Sequence, residues 1–224
     1  MNKICFVNGS PRGNSSASKR MIDKVIEMLD QQITQIHEIC VVESLKQNTT
    51  EEDFTLMRTM NSIVFVFPLY IDAIPSNLLE YMYAYEEYLT SHPQTADHTP
   101  PSIYSIINNG FIEGRQNINA LQIMANYTTR IGHSWRFGIG IGGGEFVKET
   151  MEVIPLKSKL KRNIYFALVK LATELESQEI TQHNNIMTNP SMPKFLFMAV
   201  GNRHWTNKAK KSRKSLCKKV WTET

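Results

Sequence analysis

Near its N-terminus the chain reads Lys3-Ile-Cys-Phe-Val-Asn-Gly-Ser-Pro-Arg-Gly-Asn-Ser-Ser-Ala-Ser18. The first five of these residues are an apolar β run, which ends in the turn cluster Asn8-Gly-Ser-Pro11. From Ser16 onward apolar residues recur at helical spacing, so a helix is expected to begin there. A strand, a polar glycine-containing loop and a helix in this order indicate the first part of an α/β fold.

The same alternation of strand and helix continues along the chain. Further strands are predicted at residues 36–42, 62–67, 103–107 and 135–141, and helices at 16–33, 51–60, 76–89, 117–131 and 149–177. Five strands alternating with helices predict a parallel sheet that has helices on both faces. In such sheets, ligands bind beyond the carboxyl ends of the strands, at the point where the strand order reverses.

Length and composition indicate a globular protein with an appendage. The chain has 224 residues, of which 42% are hydrophobic and 21% charged, so a disordered chain is excluded. We expect an α/β domain over residues 1–180 and a C-terminal extension over 181–224. No apolar run reaches the ~20 residues of a membrane span, and no signal peptide is recognisable, so a cytoplasmic location is expected.

The cysteines and histidines do not suggest a metal site. Cys5 and Cys40 lie in predicted strands, where a free cysteine is usually a small core residue, and Cys217 lies near the C-terminus. None of the usual metal-ligand spacings of Cys and His occurs, so no metal is expected.

Charge is distributed unevenly along the chain. Residues 203–224 contain eight of the 25 basic residues and one of the 21 acidic ones, so this tail has a net charge of +7 and the rest −3. A solvated terminal helix is the simplest interpretation of the tail. Contact with an acidic surface of a neighbouring subunit and binding to nucleic acid or an anionic membrane stay open, although no nucleic-acid motif accompanies the charge.

Nine of the 11 glycines lie in or after predicted strands, near the carboxyl edge of the sheet. They are Gly9, Gly13, Gly110, Gly114, Gly138, Gly140, Gly142, Gly143 and Gly144. Glycine permits close approach of the backbone to a ligand, so the pattern suggests a bound cofactor. Ordinary turns between strands and helices also use glycine, and this alternative stays open.

The loop after the first strand is suited to a phosphate monoester. It offers hydroxyl groups, a side-chain amide, a guanidinium and the N–H groups of a helix N-terminus, which together favour an anion. It has no G-K-[ST] ending, no G-x-G-x-x-G and no Cys-x₅-Arg, so a nucleoside triphosphatase, a dinucleotide fingerprint and a tyrosine phosphatase lose support. A plain helix cap is the alternative. The candidate residues are Ser10, Arg12, Asn14, Ser15, Ser16 and Ala17.

Three motifs, each after its own strand, resemble a known family. They are Gly9-Ser-Pro-Arg-Gly-Asn-Ser-Ser-Ala17, Phe67-Pro-Leu-Tyr-Ile-Asp-Ala-Ile-Pro-Ser76 and Asn108-Asn-Gly-Phe-Ile-Glu-Gly114. With them the chain resembles the flavodoxin-like, NAD(P)H-dependent flavin oxidoreductases, near the FMN reductases and the flavodoxin-fold part of iron–sulfur flavoproteins. The similarity extends over roughly residues 3–144.

The resemblance implies a fold, an activity and a site. The fold would be a flavodoxin-like three-layer sandwich with a five-stranded parallel sheet of order 2-1-3-4-5 and a helical C-terminal extension. The activity would be an FMN-dependent oxidoreductase that takes hydride from NADH or NADPH and passes electrons to a flavin, quinone, nitro or azo compound. A dimer at least is implied. Besides the first loop, the cofactor-binding residues would be Pro68, Leu69, Tyr70, Ile71, Asn108, Asn109, Gly110 and Phe111.

The residues themselves agree with this interpretation and leave two alternatives. The second and third motifs offer flat apolar surfaces and amide groups for a flavin ring. No convincing nucleophile–base pair occurs, and none is needed when hydride chemistry belongs to a cofactor. The alternatives are a flavodoxin-like electron carrier and a flavin-free module that binds a partner through the basic tail. Carriers tend to be short and acidic, whereas this chain is long and basic.

Overall fold

The computed structural model describes residues 1–93, 99–177, 183–199, 201–203, 206–207 and 209–210. Internal contacts divide the chain into two units, Met1–Pro190 and Ser191–Thr224. In the second unit the described residues from 194 to 210 are helical. Most of the basic tail, residues 211–224, lies outside the described residues. The predicted domain boundary between residues 180 and 181 stays a prediction.

The first unit is built on one parallel sheet in the order β2-β1-β3-β4-β5-β6. The strands are β1 (Asn2–Asn8), β2 (Thr34–Cys40), β3 (Ser62–Pro68), β4 (Ser102–Asn108), β5 (Ser134–Ile141) and β6 (Ile186–Thr188). The predicted α/β class, the parallel sheet and the order of the first five strands are confirmed.

The predicted number of strands was wrong, because β6 extends the sheet beyond β5. This strand has only three residues. That is too short for the alternation of apolar and polar residues that identifies a strand in a sequence. It is held by pairing with β5, and the N–H of Gly142 also donates to the carbonyl of Thr188 at 2.9 Å. Tertiary contacts therefore specify this strand.

Among the described residues of the first unit, seven α-helices cover the two faces of the sheet. They are α1 (Ala17–Ile26), α2 (Val41–Gln47), α3 (Thr50–Arg58), α4 (Ser76–Ser91), α5 (Ile118–Arg130), α6 (Gly144–Glu149) and α7 (Arg162–Glu176). Buried apolar residues of α1, α6 and α7 form one core with the sheet, and those of α2 to α5 form the other. The three-layer arrangement is confirmed. Within the described residues, every helix is too short or too polar to span a membrane.

Three element boundaries differ from the sequence prediction. The first helix was predicted over residues 16–33, but α1 ends at Ile26, and turns lead from there to β2. Val41 and Val42 begin α2 rather than end the second strand, although their β-branched side chains favour a strand. Residues 149–177 were predicted as helical, but turns occupy residues 150–161 and the long helix begins only at Arg162. Pro155 lies in this interval, where its missing N–H disfavours a continuous helix.

The topology places a crevice at the carboxyl edge of β1 and β3. The helix after β1 packs on one face of the sheet, whereas α4, the helix after β3, packs on the other. Between neighbouring strands whose connections leave on opposite faces, the loops separate and leave room for a ligand.

Candidate functional site

The first loop, residues 9–16, is closed by its own hydrogen bonds. The side chain of Asn8 donates to the carbonyl of Gly13 at 3.1 Å and accepts from the N–H of Ser10 at 3.2 Å. The N–H of Gly13 donates to the carbonyl of Ser10 at 2.9 Å. Gly13 has a φ of +52°, which a residue with a side chain adopts only at a cost. Bonds within the protein therefore define the conformation of this loop.

The first loop leads directly into the N-terminus of α1. Ser16 is the N-cap, and its hydroxyl oxygen accepts from the N–H of Lys19 at 3.0 Å. The N–H groups of Ala17 and Ser18 lie in the first helical turn, where no carbonyl of the helix can accept from them. Ser10, Ser16 and Ser18 are buried at this point. The helix start thus combines backbone donors with hydroxyl groups, as predicted from the sequence.

The exposed side chains of the first loop bind acidic residues that the sequence did not single out. Arg12 contacts Glu145 of α6 at 3.3 Å, and the amide of Asn14 donates to Glu43 of α2 at 2.9 Å. The hydroxyl of Ser15 donates to the carbonyl of Arg12 at 2.9 Å. Neither acid has a sequence signal, because each approaches the loop only through the packing of its helix.

The second loop leaves β3 and forms a tight turn before α4. Pro68 and Leu69 are half-buried, and the N–H of Leu69 donates to the carbonyl of Asn108 at 2.7 Å. Tyr70 and Ile71 extend outward and are exposed. The loop therefore offers apolar surface beside the end of β4.

At the end of β4, the buried amide of Asn108 connects the start of the third loop to α1 and to β3. The side-chain amide of Asn108 donates to the hydroxyl of Ser18 at 3.1 Å and to the carbonyl of Phe67 at 3.2 Å. Both of its N–H groups therefore have partners within the protein. Asn108 therefore ties the end of β4 to the first turn of α1 and to β3, a role that its sequence position does not reveal.

The rest of the third loop divides into a buried and an exposed part. Asn109 is buried, and its amide donates to the carbonyl of Glu113 at 3.2 Å. Its backbone N–H donates to Ile141 at 3.0 Å and its carbonyl accepts from Gly144 at 2.7 Å. Gly110 and Phe111 are exposed. Phe111 is the aromatic surface that this loop presents to solvent.

Some of the edge glycines serve packing rather than ligand access. A Cβ atom on Gly142 would lie 2.0 Å from the carbonyl oxygen of Ile112, and one on Gly114 would lie 2.2 Å from that of Thr188. The third loop therefore lies directly on the backbone of β5 and β6. At these two positions close packing within the protein requires glycine, a reason that neither the cofactor interpretation nor the turn interpretation gave.

Strand pairing brings the three loops to one edge of the sheet. Asn8 pairs with Val66, and Asn108 pairs with both Pro68 and Ile141, so the loops begin side by side. The structure also adds Asn77 of α4, whose amide donates to the carbonyl of Gly9 at 3.4 Å. The predicted site residues of all three loops thus lie at this edge. Its exposed members are Arg12, Asn14, Ser15, Tyr70, Ile71, Gly110 and Phe111.

The two thiols within the described residues, Cys5 and Cys40, are poor candidates for nucleophiles. Cys5 is buried, and burial raises its pKa far above that of a free thiol. Burial also raises the pKa of Cys40, which lies at the end of β2 near Gly13. A raised pKa leaves little thiolate at neutral pH. Among the described residues no group of three or more His, Cys, Asp and Glu side chains is arranged to hold a metal ion.

No family model and no curated protein matches the chain. Several solved structures match the chain in fold. An FMN-dependent NADH-azoreductase from Bacillus anthracis, in complex with FMN, is 16% identical with a TM-score of 0.51, and the match covers 79% of this chain and 100% of that one. An NAD(P)H:quinone oxidoreductase from Methanothermobacter marburgensis is 12% identical with a TM-score of 0.58, covering 81% and 98%. An NADH:FMN oxidoreductase in its apo form is 14% identical with a TM-score of 0.55, covering 80% and 92%. The chain has the flavodoxin-like fold of these proteins.

Proposed function

We propose that the protein is an FMN-dependent oxidoreductase that takes hydride from NADH or NADPH and passes electrons to a small acceptor. The observation that supports this most directly is the first loop, which is closed on itself at the N-terminus of α1 in the crevice between β1 and β3. Such a helix terminus favours a phosphate group. The structural neighbours named above as FMN- or NAD(P)H-dependent enzymes support the same proposal.

The residues of the first loop fit a phosphate monoester. The hydroxyl oxygens of Ser10 and Ser16 accept from backbone N–H groups at 3.3 and 3.0 Å, so each retains its own O–H as a donor. The backbone N–H groups of Ala17 and Ser18 are further donors, and Arg12 supplies charge at the rim. This set of donors suits the terminal phosphate of FMN, whose three oxygens need several donors at once.

The other two loops fit a flat ring. Pro68 and Leu69 are half-buried at the carboxyl end of β3, and Phe111 is exposed on the next loop. Flat ligands of this size are usually held by apolar and aromatic surfaces with a few polar groups. FMN, when bound, supplies the redox chemistry, in which a hydride is accepted and its two electrons are passed on. The protein's own residues bind and orient it, and they need not include a general acid or base.

We also propose that the protein forms a homo-oligomer. Leu79 and Tyr83 of α4 and Ile118 and Ile123 of α5 are large apolar residues that remain exposed. Exposed apolar groups on neighbouring helices are typical of subunit contacts. A cytoplasmic location stays a prediction.

The cofactor test begins with the purified protein. Its absorbance is recorded in the flavin bands before and after anaerobic addition of NADH or NADPH, and the flavin released on denaturation is identified by chromatography. We expect FMN, bleached by one of the two nucleotides. FAD as the main species, or no flavin after reconstitution, contradicts the proposal. Bound FMN that neither nucleotide reduces favours the electron carrier.

A further inference from the structure

The helix of the second unit, whose described residues lie between 194 and 210 (the basic helix), exposes large apolar side chains. Phe195 is 75% exposed, Met198 57% and Leu196 43%. The N–H groups of Leu196 and Phe197 donate to the carbonyl of Pro193 at 3.0 and 3.1 Å, so these residues lie in its first turns. Adjoining apolar side chains that remain exposed are typical of a surface that binds a partner.

The apolar and the basic side chains of the basic helix fall on different faces. In a helix of 3.6 residues per turn, the sequence spacing places Phe195, Met198 and Ala209 within about 60° of one another. Arg203 and Lys210, which are exposed, fall roughly 100° from the centre of this apolar stripe. The helix is therefore amphipathic, with a basic face beside an apolar one.

The second unit also differs from the first in charge. Residues 191–224 contain nine of the 25 basic residues and one of the 21 acidic ones, a net charge of +8, whereas residues 1–190 have a net charge of −4. Trp205 and Leu216 follow Met198 at intervals of 7 and 18 residues, which are close to whole helical turns. The sequence therefore predicts that the apolar stripe continues through the most basic part of the chain.

An anionic lipid surface matches both properties of this segment. Its head groups attract lysine and arginine, and the boundary between head groups and acyl chains receives apolar side chains to a depth of about 5–10 Å. A nucleic acid would match the positive charge but would offer no apolar medium to Leu196 and Met198. The same segment of a second copy would be repelled, because it carries the same charge.

We propose that the basic helix binds the surface of membranes that contain anionic lipids. Phe195 and Met198 enter the boundary between head groups and acyl chains, and Arg203 and Lys210 pair with lipid phosphates. The apolar run of residues 195–200 is far shorter than the ~20 residues of a membrane span, so the helix lies along the surface. Such binding does not depend on the proposed redox function, because the three loops at the sheet edge belong to the first unit.

Flotation of the full chain with vesicles tests this directly. One set of vesicles contains phosphatidylcholine alone and the other phosphatidylcholine mixed with phosphatidylserine, and each is used at low and at high salt. Two double variants separate the apolar and the charged contributions. Phe195→Ser with Met198→Ser removes the apolar stripe, and Arg203→Glu with Lys210→Glu reverses two charges.

Each double variant has a matched control at exposed positions of the first unit. Val153→Ser with Phe166→Ser replaces two exposed apolar residues, and Lys46→Glu with Lys159→Glu reverses two exposed lysines. The thermal midpoint and the sedimentation coefficient without lipid are measured for all four variants. Both should equal those of the wild type, because every changed side chain is exposed.

We expect the wild type to bind vesicles with phosphatidylserine at least about tenfold more tightly than vesicles without it, and to be released by high salt. Reversal of Arg203 and Lys210 should weaken binding at least about twenty-fivefold, since each basic residue near an anionic surface contributes about fivefold. Loss of Phe195 and Met198 should weaken it about tenfold or more, because less apolar area leaves water. The two control variants should bind within about twofold of the wild type.

Four results contradict membrane binding by this helix. The first is equal binding to the two kinds of vesicle, or binding to neither. The second is undiminished binding without Phe195 and Met198, because the helix would then not enter the membrane. The third is a changed oligomeric state of that variant in the absence of lipid, which would make the apolar stripe a subunit contact. The fourth is a labelled oligonucleotide that displaces the vesicles and binds more tightly than they do.

The membrane proposal and the proposed function fail separately in these measurements. A wild type that binds FMN but no vesicles refutes membrane binding alone. A wild type that binds vesicles but no FMN refutes the proposed function alone.

Discussion

Ser16 combines two roles that a single substitution can separate. As the N-cap of α1 it supports the helix, and as a buried hydroxyl at the proposed phosphate site it faces an anion. Asn and Asp cap helices about as well as Ser does, and they have nearly the same size as each other. They differ in charge, so the Asp carboxylate repels a bound phosphate and the Asn amide does not.

We therefore predict that Ser16→Asp weakens FMN binding at least about a hundredfold relative to Ser16→Asn. Two like charges about 4 Å apart in a partly desolvated site repel by about 4 kcal/mol. Titration of the apoproteins with FMN, followed by fluorescence, gives the two Kd values. Equal Kd values for two folded variants would mean that no phosphate binds at this helix terminus.

Lys161 is a buried cation that has backbone carbonyls for partners. Its side chain is 0% exposed, and its Nζ donates to the carbonyls of Ile154 at 3.0 Å and Val147 at 3.4 Å. Burial lowers the pKa of Lys161 from 10.5 to about 8. Because the unfolded chain holds this proton more tightly, the free energy of unfolding loses about 3 kcal/mol as the pH falls from 10.5 to 8.

We predict that Lys161→Met removes this pH dependence. The free energy of unfolding of the wild type, minus that of the variant, should rise by about 3 kcal/mol between pH 8 and 10.5. Denaturant titrations at several pH values measure it, and Lys159→Met, a change of an exposed lysine two residues earlier, is the control. A difference that stays flat with pH would show that Lys161 keeps an ordinary pKa.

At the scale of elements, the third loop depends on close contact between backbones. Gly142 follows β5 and leaves no space for a side chain beside Ile112, whereas a Cβ on Gly110 would meet no atom within 4 Å. The two glycines of the same region therefore have different requirements. One is needed for packing, and the other tolerates a methyl group.

We predict that Gly142→Ala lowers the free energy of unfolding by about 1–3 kcal/mol, the usual cost of overpacking, and that Gly110→Ala leaves it almost unchanged. Chemical denaturation of the two variants compares them directly. Unfolding is measured rather than FMN binding, because Gly110 belongs to the candidate site and its substitution can change binding directly. A stable Gly142→Ala variant would mean that the third loop shifts away from β5 at little cost.

At the scale of the whole molecule, the candidate site lies within one unit. All three loops belong to the unit Met1–Pro190, and their residues lie between 9 and 114. We predict that a chain without residues 206–224 folds and binds FMN as the full chain does. Flavin content and sedimentation of the truncated protein measure this together. Loss of flavin with an unchanged oligomer would show that the tail reaches the cofactor.

Much of the architecture followed from local patterns. Strands β1, β3 and β4 contain apolar runs and the long helices have an apolar face, and these periods appear in any short window of sequence. Parallel pairing and the right-handed crossover then leave few topologies for five alternating units. The phosphate-type loop was also recognisable, because its hydroxyls and its helix start are neighbours in the chain.

The remaining features depend on groups that are distant in sequence. The three-residue strand β6 exists only because β5 provides an edge for it, and Val41 joins a helix because the core on that face receives it there. The pairing of Arg12 with Glu145 joins residues 133 positions apart. Local sequence therefore determined the class of the fold and the hydroxyl-rich loop at the start of α1. The tertiary structure decided which side chains meet at the site and which stay exposed, because burial and charge pairing depend on packing.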